Sequence, residues 1–283
     1  MSKEKHSKTA YILIAIAVLF VVVMLVFPLI AVVVNSLSKG IGFYLESIQT
    51  ETVTSALGNT IVATIIAVAV NTFFGVMAAI ALTKFTFRGK QVLATLIDIP
   101  FSISPVIAGL AFVMTFGRLG WGYGIIEKIN DVLGTDIQVV FAMPGVFLAT
   151  IFVTFPFVSR ELIPVMNAQG KDEEEAAALM GAKGFKIFRK ITFPHMKWAL
   201  LYGVILCAAR ALGEFGAVNA LSKTRGETFT LPLEIDALYM SGSADSITGA
   251  FAVSSILVII AVVILILRNV LEYRAKKKAY AGG

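Results

Sequence analysis

Six long stretches with almost no charged side chains organise this chain: residues 10–34, 52–83, 91–117, 137–159, 198–222 and 246–267. None alternates apolar and polar positions with a period of two, as the shorter strands of a membrane β-barrel would. Each is long enough to cross a hydrocarbon layer of about 30 Å as a helix, which takes about 20 residues. The pattern therefore predicts an all-α membrane protein with six transmembrane helices. The first run follows Lys3, Lys5 and Lys8 and could be mistaken for a signal peptide, but it exceeds a signal h-region and ends in no small-x-small cleavage site, so it stays a helix. The third contains Pro100 and Pro105, each removing a backbone donor, so this span should be bent or begin with irregular backbone. Asp98 lies just ahead of them and is expected to cap amides freed near Pro100 rather than to line a transport path. In the fourth span Pro144 lies near the outside, and Pro156 should kink the helix before Arg160 and Glu161. The connections at 35–51 and 118–136 read as exterior loops, the latter with a glycine-rich turn carrying Trp121 and Tyr123 at the membrane interface. The organisation expected is an N-terminal segment (1–9), a first helix (10–35), a five-span core (52–268) with a loop at 167–197, and a basic tail (269–283).

Composition agrees with the pattern. Of 283 residues 58% are hydrophobic and 15% charged, against about a quarter charged in soluble domains. Charge is unevenly placed. With six crossings and a cytoplasmic N-terminus, eighteen of the 24 Lys and Arg residues fall on the inner side, five on the outer side, and Arg210 within a span. That asymmetry is the positive-inside pattern, with both termini cytoplasmic. The net charge of +6 is thus topology and needs no nucleic-acid partner. A single cysteine, Cys207, excludes a disulfide framework, and His6 and His195 are too few and too separated for a metal cluster.

The one long charged interruption late in the chain, GKDEEEAAALMGAKGFKIFRKITFP (170–194), falls on the inner side. Asp172 is placed to cap a short helix, with Glu175 reaching back in a capping box, and the acids sit at the positive end of the helix dipole. Residues 176–180 (Ala-Ala-Ala-Leu-Met) give a small-residue surface for a close-packed partner, and Gly181 should end the helix. Phe185, Phe188 and Ile191 alternate with Lys186, Arg189 and Lys190, predicting an amphipathic helix on the membrane surface that stops at Pro194. No P-loop, HExxH, Gly-x-Ser-x-Gly or EF-hand pattern occurs, so no enzyme chemistry is indicated and any ATP must be bound elsewhere. The fifth span holds Ala209, Gly213 and Ala217 at small-x3-small spacing, suited to close helix approach. Arg210 and Glu214 share a helix face four residues apart and can pair. Each alone would cost about 2.5–3.5 kcal/mol in a membrane, so they face protein or water. They either lock two helices together or place Arg210 beside the path of an anion.

The interruption has the spacing of the EAA loop of ABC importer permeases, E-A-A-x3-G-x9-I-x-L-P: Glu175-Ala176-Ala177, Gly181, then Ile191-Thr192-Phe193-Pro194, with Phe193 where leucine is usual. CAARALGEFGAVN (207–219), Arg225-Gly226-Glu227-Thr228 and Leu231-Pro232-Leu233 resemble the sulfate/molybdate branch of the type I permeases. DIPFSISPVIAGL (98–110), TFPFVSRELIPVM (154–166) and KWALLYGV (197–204) narrow the resemblance to the sulfate/thiosulfate permeases of CysW type, over nearly the whole chain. The resemblance implies an importer subunit in the cytoplasmic membrane of a bacterium, working by alternating access. Its implied partners are a second permease subunit of the T/U type as heterodimer, two copies of a cytoplasmic ATPase that bind the ATP and Mg, and an exterior sulfate-binding protein. This chain would hold no cofactor. Asp172, Glu175, Ala176, Ala177 and Gly181 are then expected at the ATPase contact, and Arg210, Gly213, Glu214 and Phe215 at the gate. Arg225 and Glu227 are expected at the exterior gate or binding-protein contact. A molybdate or tungstate permease is the nearest alternative, and an ion-coupled carrier or channel is the alternative of another class; the EAA-type loop discriminates against the second.

Overall fold

The computed structural model describes residues 8–281, so Lys3, Lys5 and His6 lie outside the described residues, and Arg274, Lys276, Lys277 and Lys278 are described only as helix backbone. Every regular element among the described residues is helical. The chain opens with α1 (Lys8–Val21) and α2 (Phe27–Ser36), joined by a π-helical turn (Val22–Val26). The wider turn has a local cause. Pro28 has no N–H, and its ring would strike the carbonyl four residues back, so the Phe27 amide reaches to the Val22 carbonyl instead. Next come α3 (Gly40–Ile48), α4 (Glu51–Lys84), α5 (Lys90–Ser102), α6 (Pro105–Phe116), α7 (Tyr123–Leu133), α8 (Met143–Thr154) and α9 (Pro156–Gln169). Then follow α10 (Asp172–Leu179), α11 (Gly184–Ile187), a second π turn (Phe188–Thr192), α12 (Phe193–Leu212), α13 (Gly216–Leu221), α14 (Leu231–Met240) and α15 (Ala244–Ala281).

Among the described residues, five helical runs are long and apolar enough to span a membrane: Thr9–Ser36, Glu51–Lys84, Met143–Gln169, Gly184–Leu212 and Ala244–Val270. A sixth is α5 with α6, bent by 108°. Contacts decide that this bent pair crosses. At one face, Lys84 at the end of α4 donates to the carbonyl of Gly170, just past α9. Only two crossings between them return the chain to that face, and α8–α9 supplies one. At the opposite face Ser55 donates to the Gly226 carbonyl, Thr52 donates to Glu234, and Lys39 pairs with Asp245. Six crossings satisfy every one of these contacts.

The core lies among α4, α8, α9 and α12. Val158, Leu162, Met166, Met196 and Cys207 form one buried cluster, and Val146, Ala149, Val218 and Leu221 belong to a second. Three helices meet at Val158. A Cβ on Gly75 of α4 would stand 2.9 Å from the Val158 Cβ, and one on Gly203 of α12 would stand 3.0 Å from its Cα, so glycine is what lets these backbones close. Asn71 is fully buried there and donates to the Ile151 carbonyl (3.1 Å) and Thr154 Oγ1 (2.8 Å).

Several boundaries depart from expectation. The third span breaks at Ile103 and Ser104, extended residues ahead of Pro105, as a residue preceding proline prefers. Asp98 caps nothing near Pro100; its Oδ1 lies 3.0 Å from Arg160 Nε of α9 in an ion pair. The connections at 35–51 and 118–136 contain α3 and α7. Proline 194 does not stop a helix. It sits in the first turn of α12, where a missing donor is tolerated, and the π turn before it carries the helix from Gly184 through to Leu212. The fifth span is broken at 213–215, so Ala209, Gly213 and Ala217 do not form one contact stripe: Ala209 and Gly213 are exposed in this chain and Ala217 is buried.

Candidate functional site

The helix α10 stands at the end of the bundle where α4 and α9 terminate. Its N-cap is Lys171, with no side-chain cap, so Asp172 is the first helical residue and the expected Asp172–Glu175 capping box is absent. All four acids still lie in the first turn, where the helix dipole favours them. The other end forms as expected. Gly181 has φ +83°, its amide donates to the Ala178 carbonyl (2.9 Å), and the Ala182 amide donates to the Ala177 carbonyl (3.0 Å). These are the two bonds of a Schellman C-cap, which needs the left-handed residue that glycine supplies.

What holds α10 in place is Glu174. Its Oε1 lies 2.9 Å from Lys84 Nζ and accepts Thr192 Oγ1 at 2.7 Å, and the same Lys84 donates to the Gly170 carbonyl at 2.8 Å. The side chains of Lys84 and Glu174 are only 11% and 17% exposed. The short helix is thus tied to the end of α4 and to the turn that leads into α12. Asp172, Glu175, Ala176 and Gly181 point outward, exposed, and Ala177 is half-buried. Beside them Leu179 and Met180 are 91% and 87% exposed, an apolar tip that nothing among the described residues covers.

Arg210, Gly213, Glu214 and Phe215 come together where the fifth span breaks. Arg210 is in the last turn of α12 and its Nη2 lies 2.7 Å from Glu214 Oε2. Glu214 Oε1 accepts the amide of Ala217 at 2.8 Å, in the first turn of α13. One buried carboxylate therefore bridges the two half-helices, which is the expected ion pair with a second task. Gly213 has open space around it. Phe215 packs against the cluster of Val146, Val218 and Leu221 and lines a cavity of about 410 Å³ with Asp236, Tyr239, Phe251 and Ser254.

Arg225 and Glu227 sit in the strap between α13 and α14, and the structure gives them different settings. Arg225 grips Glu234 of α14 with Nε (2.9 Å to Oε2) and Nη2 (2.6 Å to Oε1), and those hydrogen bonds raise its pKa above the ordinary guanidinium value. Glu234 is fully buried and also accepts Thr52 Oγ1 of α4 at 2.8 Å. The Glu227 side chain is exposed, while its carbonyl accepts Asn59 Nδ2 of α4 at 2.7 Å. Arg225 is thereby a tie of this strap to the bundle. The three groups predicted from sequence remain three separate places along the molecule. Glu174, Lys84, Thr192 and Glu234 were missed, because nothing local distinguishes one acid in a run of four or names a partner far along the chain.

Residues 71–277 match the family of binding-protein-dependent transport system inner membrane components. The chain is 42% identical over 269 residues to the sulfate transport system permease protein CysW of Escherichia coli strain K12, covering 95% of this chain and 89% of that one. It is 41% identical over 272 residues to the protein of the same name from Synechocystis sp., covering 95% of each. Among solved structures, a chain of a bacterial alginate ABC transporter, crystallised in complex with an alginate pentasaccharide-bound periplasmic protein, superposes with a TM-score of 0.76 over 94% of both chains at 17% identity. At that identity the likeness is one of fold.

Proposed function

The chain belongs to the binding-protein-dependent transport system inner membrane components, beside the CysW-type permeases, and we propose that it is the permease subunit of an ATP-driven importer of sulfate and thiosulfate. The observation that carries this reading is the 40–42% identity to CysW proteins over nearly the whole chain. The partners proposed are a second permease of the T/U type, two copies of a cytoplasmic ATPase holding the ATP and Mg, and an exterior sulfate-binding protein. The membrane is the cytoplasmic membrane of a bacterium, with both termini inside.

The geometry supports a route for the energy. The exposed apolar tip of α10 suits docking on the ATPase, and the Glu174–Lys84–Thr192 anchor would carry its displacement to α4 and α12. Alternating access would then reach the break at Arg210–Glu214, where α12 and α13 meet. Arg210 keeps part of its surface free and would offer a passing anion a cation at this break.

The test is uptake of labelled sulfate in cells lacking their own sulfate permease, supplied with this chain, its partner permease, ATPase and binding protein. Uptake should need this chain and a hydrolysis-competent ATPase, and thiosulfate should compete. Competition by molybdate but not thiosulfate, or uptake undiminished with an inactive ATPase, would overturn the proposal.

Two variants probe the coupling face. Gly181→Leu forces a side chain into a left-handed backbone, at a local cost of about 1–2 kcal/mol, and should misplace the end of α10. Membrane insertion should be normal while sulfate uptake falls severalfold and ATP hydrolysis no longer follows it; normal uptake would sink the docking role of Gly181. Lys183→Cys, placed on the exposed turn after α10, should react with a membrane-impermeant maleimide only from the cytoplasmic side. Reaction only from outside would reverse the orientation.

A further inference from the structure

We infer that the open cavity between the end of α4, the start of α5 and α9 binds a tetrahedral oxyanion, either the phosphate of an anionic phospholipid or free sulfate at the membrane face where α10 stands. The cavity measures about 480 Å³, and Lys90, Gln91, Asp98, Arg160 and Asn167 supply its polar wall. Charge is the first argument. Asp98 is matched by Arg160 at 3.0 Å, whereas Lys90 Nζ has no partner among the described residues, so the wall carries one uncompensated cation. The other internal ion pairs, Lys84–Glu174, Arg210–Glu214 and Arg225–Glu234, each match a cation to its own carboxylate.

Donor geometry is the second argument. The Arg160 guanidinium, about half exposed, lies over the Phe101 ring at 4.5 Å with Nε 3.0 Å from Asp98 Oδ1, which orients the fork and leaves its outer N–H groups without a partner among the described residues. The carboxamides of Gln91 and Asn167 add N–H donors. An oriented guanidinium, an ammonium and two amides are the donor set that recognises phosphate or sulfate oxygens.

Location is the third. Phe85, Phe87 and Arg88 immediately precede Lys90 and are exposed, an aromatic and basic belt of the kind that lies at headgroup level. Buried Leu82 and Ile97 supply an apolar floor. A headgroup phosphate with its glycerol against that floor fits, and so does a hydrated sulfate. The site also adjoins the anchor of α10: Leu82 is two residues from Lys84, and Asn167 three from Gly170. An occupant would hold α4, α5 and α9 together beside that anchor and so set how firmly α10 is seated. Only the sulfate source rests on the transport reading above.

The test uses the complete complex in nanodiscs, of phosphatidylcholine alone or with phosphatidylglycerol. Native mass spectrometry counts retained phosphatidylglycerol, and ATP hydrolysis is followed as sulfate is added at the ATPase side. For a lipid source, wild type retains phosphatidylglycerol and Lys90→Ala weakens retention by about tenfold, the loss expected of one charge-assisted contact. For a sulfate source, added sulfate changes hydrolysis and Lys90→Ala shifts the effective concentration upward by about tenfold. In either case Asn167→Ala weakens binding less, and Lys90→Arg restores most of it. If Lys90→Ala and Asn167→Ala match wild type in both measurements, the site is wrong, even in a complex that imports sulfate. Oxyanion binding in a complex that imports no sulfate would keep the site and remove the transport reading.

Discussion

Arg210→Ala is expected to cost the assembled protein more than Glu214→Ala, although both delete the same ion pair. The asymmetry comes from burial: the Glu214 side chain is 0% exposed and that of Arg210 32%. Removing the arginine strands a buried carboxylate with one remaining donor, the Ala217 amide, a situation worth roughly 3–5 kcal/mol. Removing the glutamate strands a cation that keeps access to water or a partner, and uncaps α13 at about 1 kcal/mol. Glu214→Gln keeps the acceptor for Ala217 and should be milder than either. Thermal unfolding of the purified complex reads the order directly, and equal losses for the two alanine variants would contradict it. The charge-swapped pair, Arg210→Glu with Glu214→Arg, should recover only part of the loss. Arginine at 214 restores the ion pair but cannot accept the Ala217 amide. No recovery at all would count against pairing.

Glu174→Ala should leave insertion and assembly intact while sulfate uptake falls at least tenfold, since an anchor worth roughly 3 kcal/mol is removed from a short helix. The substitution leaves Lys84, 11% exposed, with the Gly170 carbonyl but no carboxylate, and takes the acceptor from Thr192. Glu173→Ala is the control in the same acidic run. Glu173 lies 3.8 Å from His195 at a well exposed position, and such pairs contribute about 0–1 kcal/mol. Because Glu174 and Lys84 act through one contact, Lys84→Ala combined with Glu174→Ala should be little worse than either alone. Additive losses in uptake would mean that the two residues work independently, and the anchor would have to be abandoned.

Much of this was legible before any coordinates. The uncharged runs marked the spans because hydrocarbon excludes charge and leaves the backbone no partner but its own helix. Gly181 marked the end of α10 because a left-handed C-cap is nearly a glycine preserve. The spacing of Arg210 and Glu214 announced their pair, even though the helix ends between them. Other local signals were ambiguous. Proline 105 opens the second half of a broken span while Pro194 sits within a continuous one, the same chemistry with different outcomes, because a π turn ahead of Pro194 absorbed the missing donor. Asp172 had the right spacing for a capping box, yet the backbone starts the helix one residue sooner and leaves that acid in solvent.

The amino-acid order was enough for the class of protein, the number of crossings, the family resemblance and the position of the charged segment that ends in α10. All of these depend on interactions within a few turns of chain or on hydrophobic length. Tertiary structure alone chose Glu174 from four adjacent acids, set it against Lys84, gave Glu234 to Arg225 and turned Asp98 toward Arg160. Those choices depend on which helices lie side by side. A buried charge takes whatever opposite charge the packing brings within reach, and packing is decided by close approaches such as Gly75 and Gly203 against Val158.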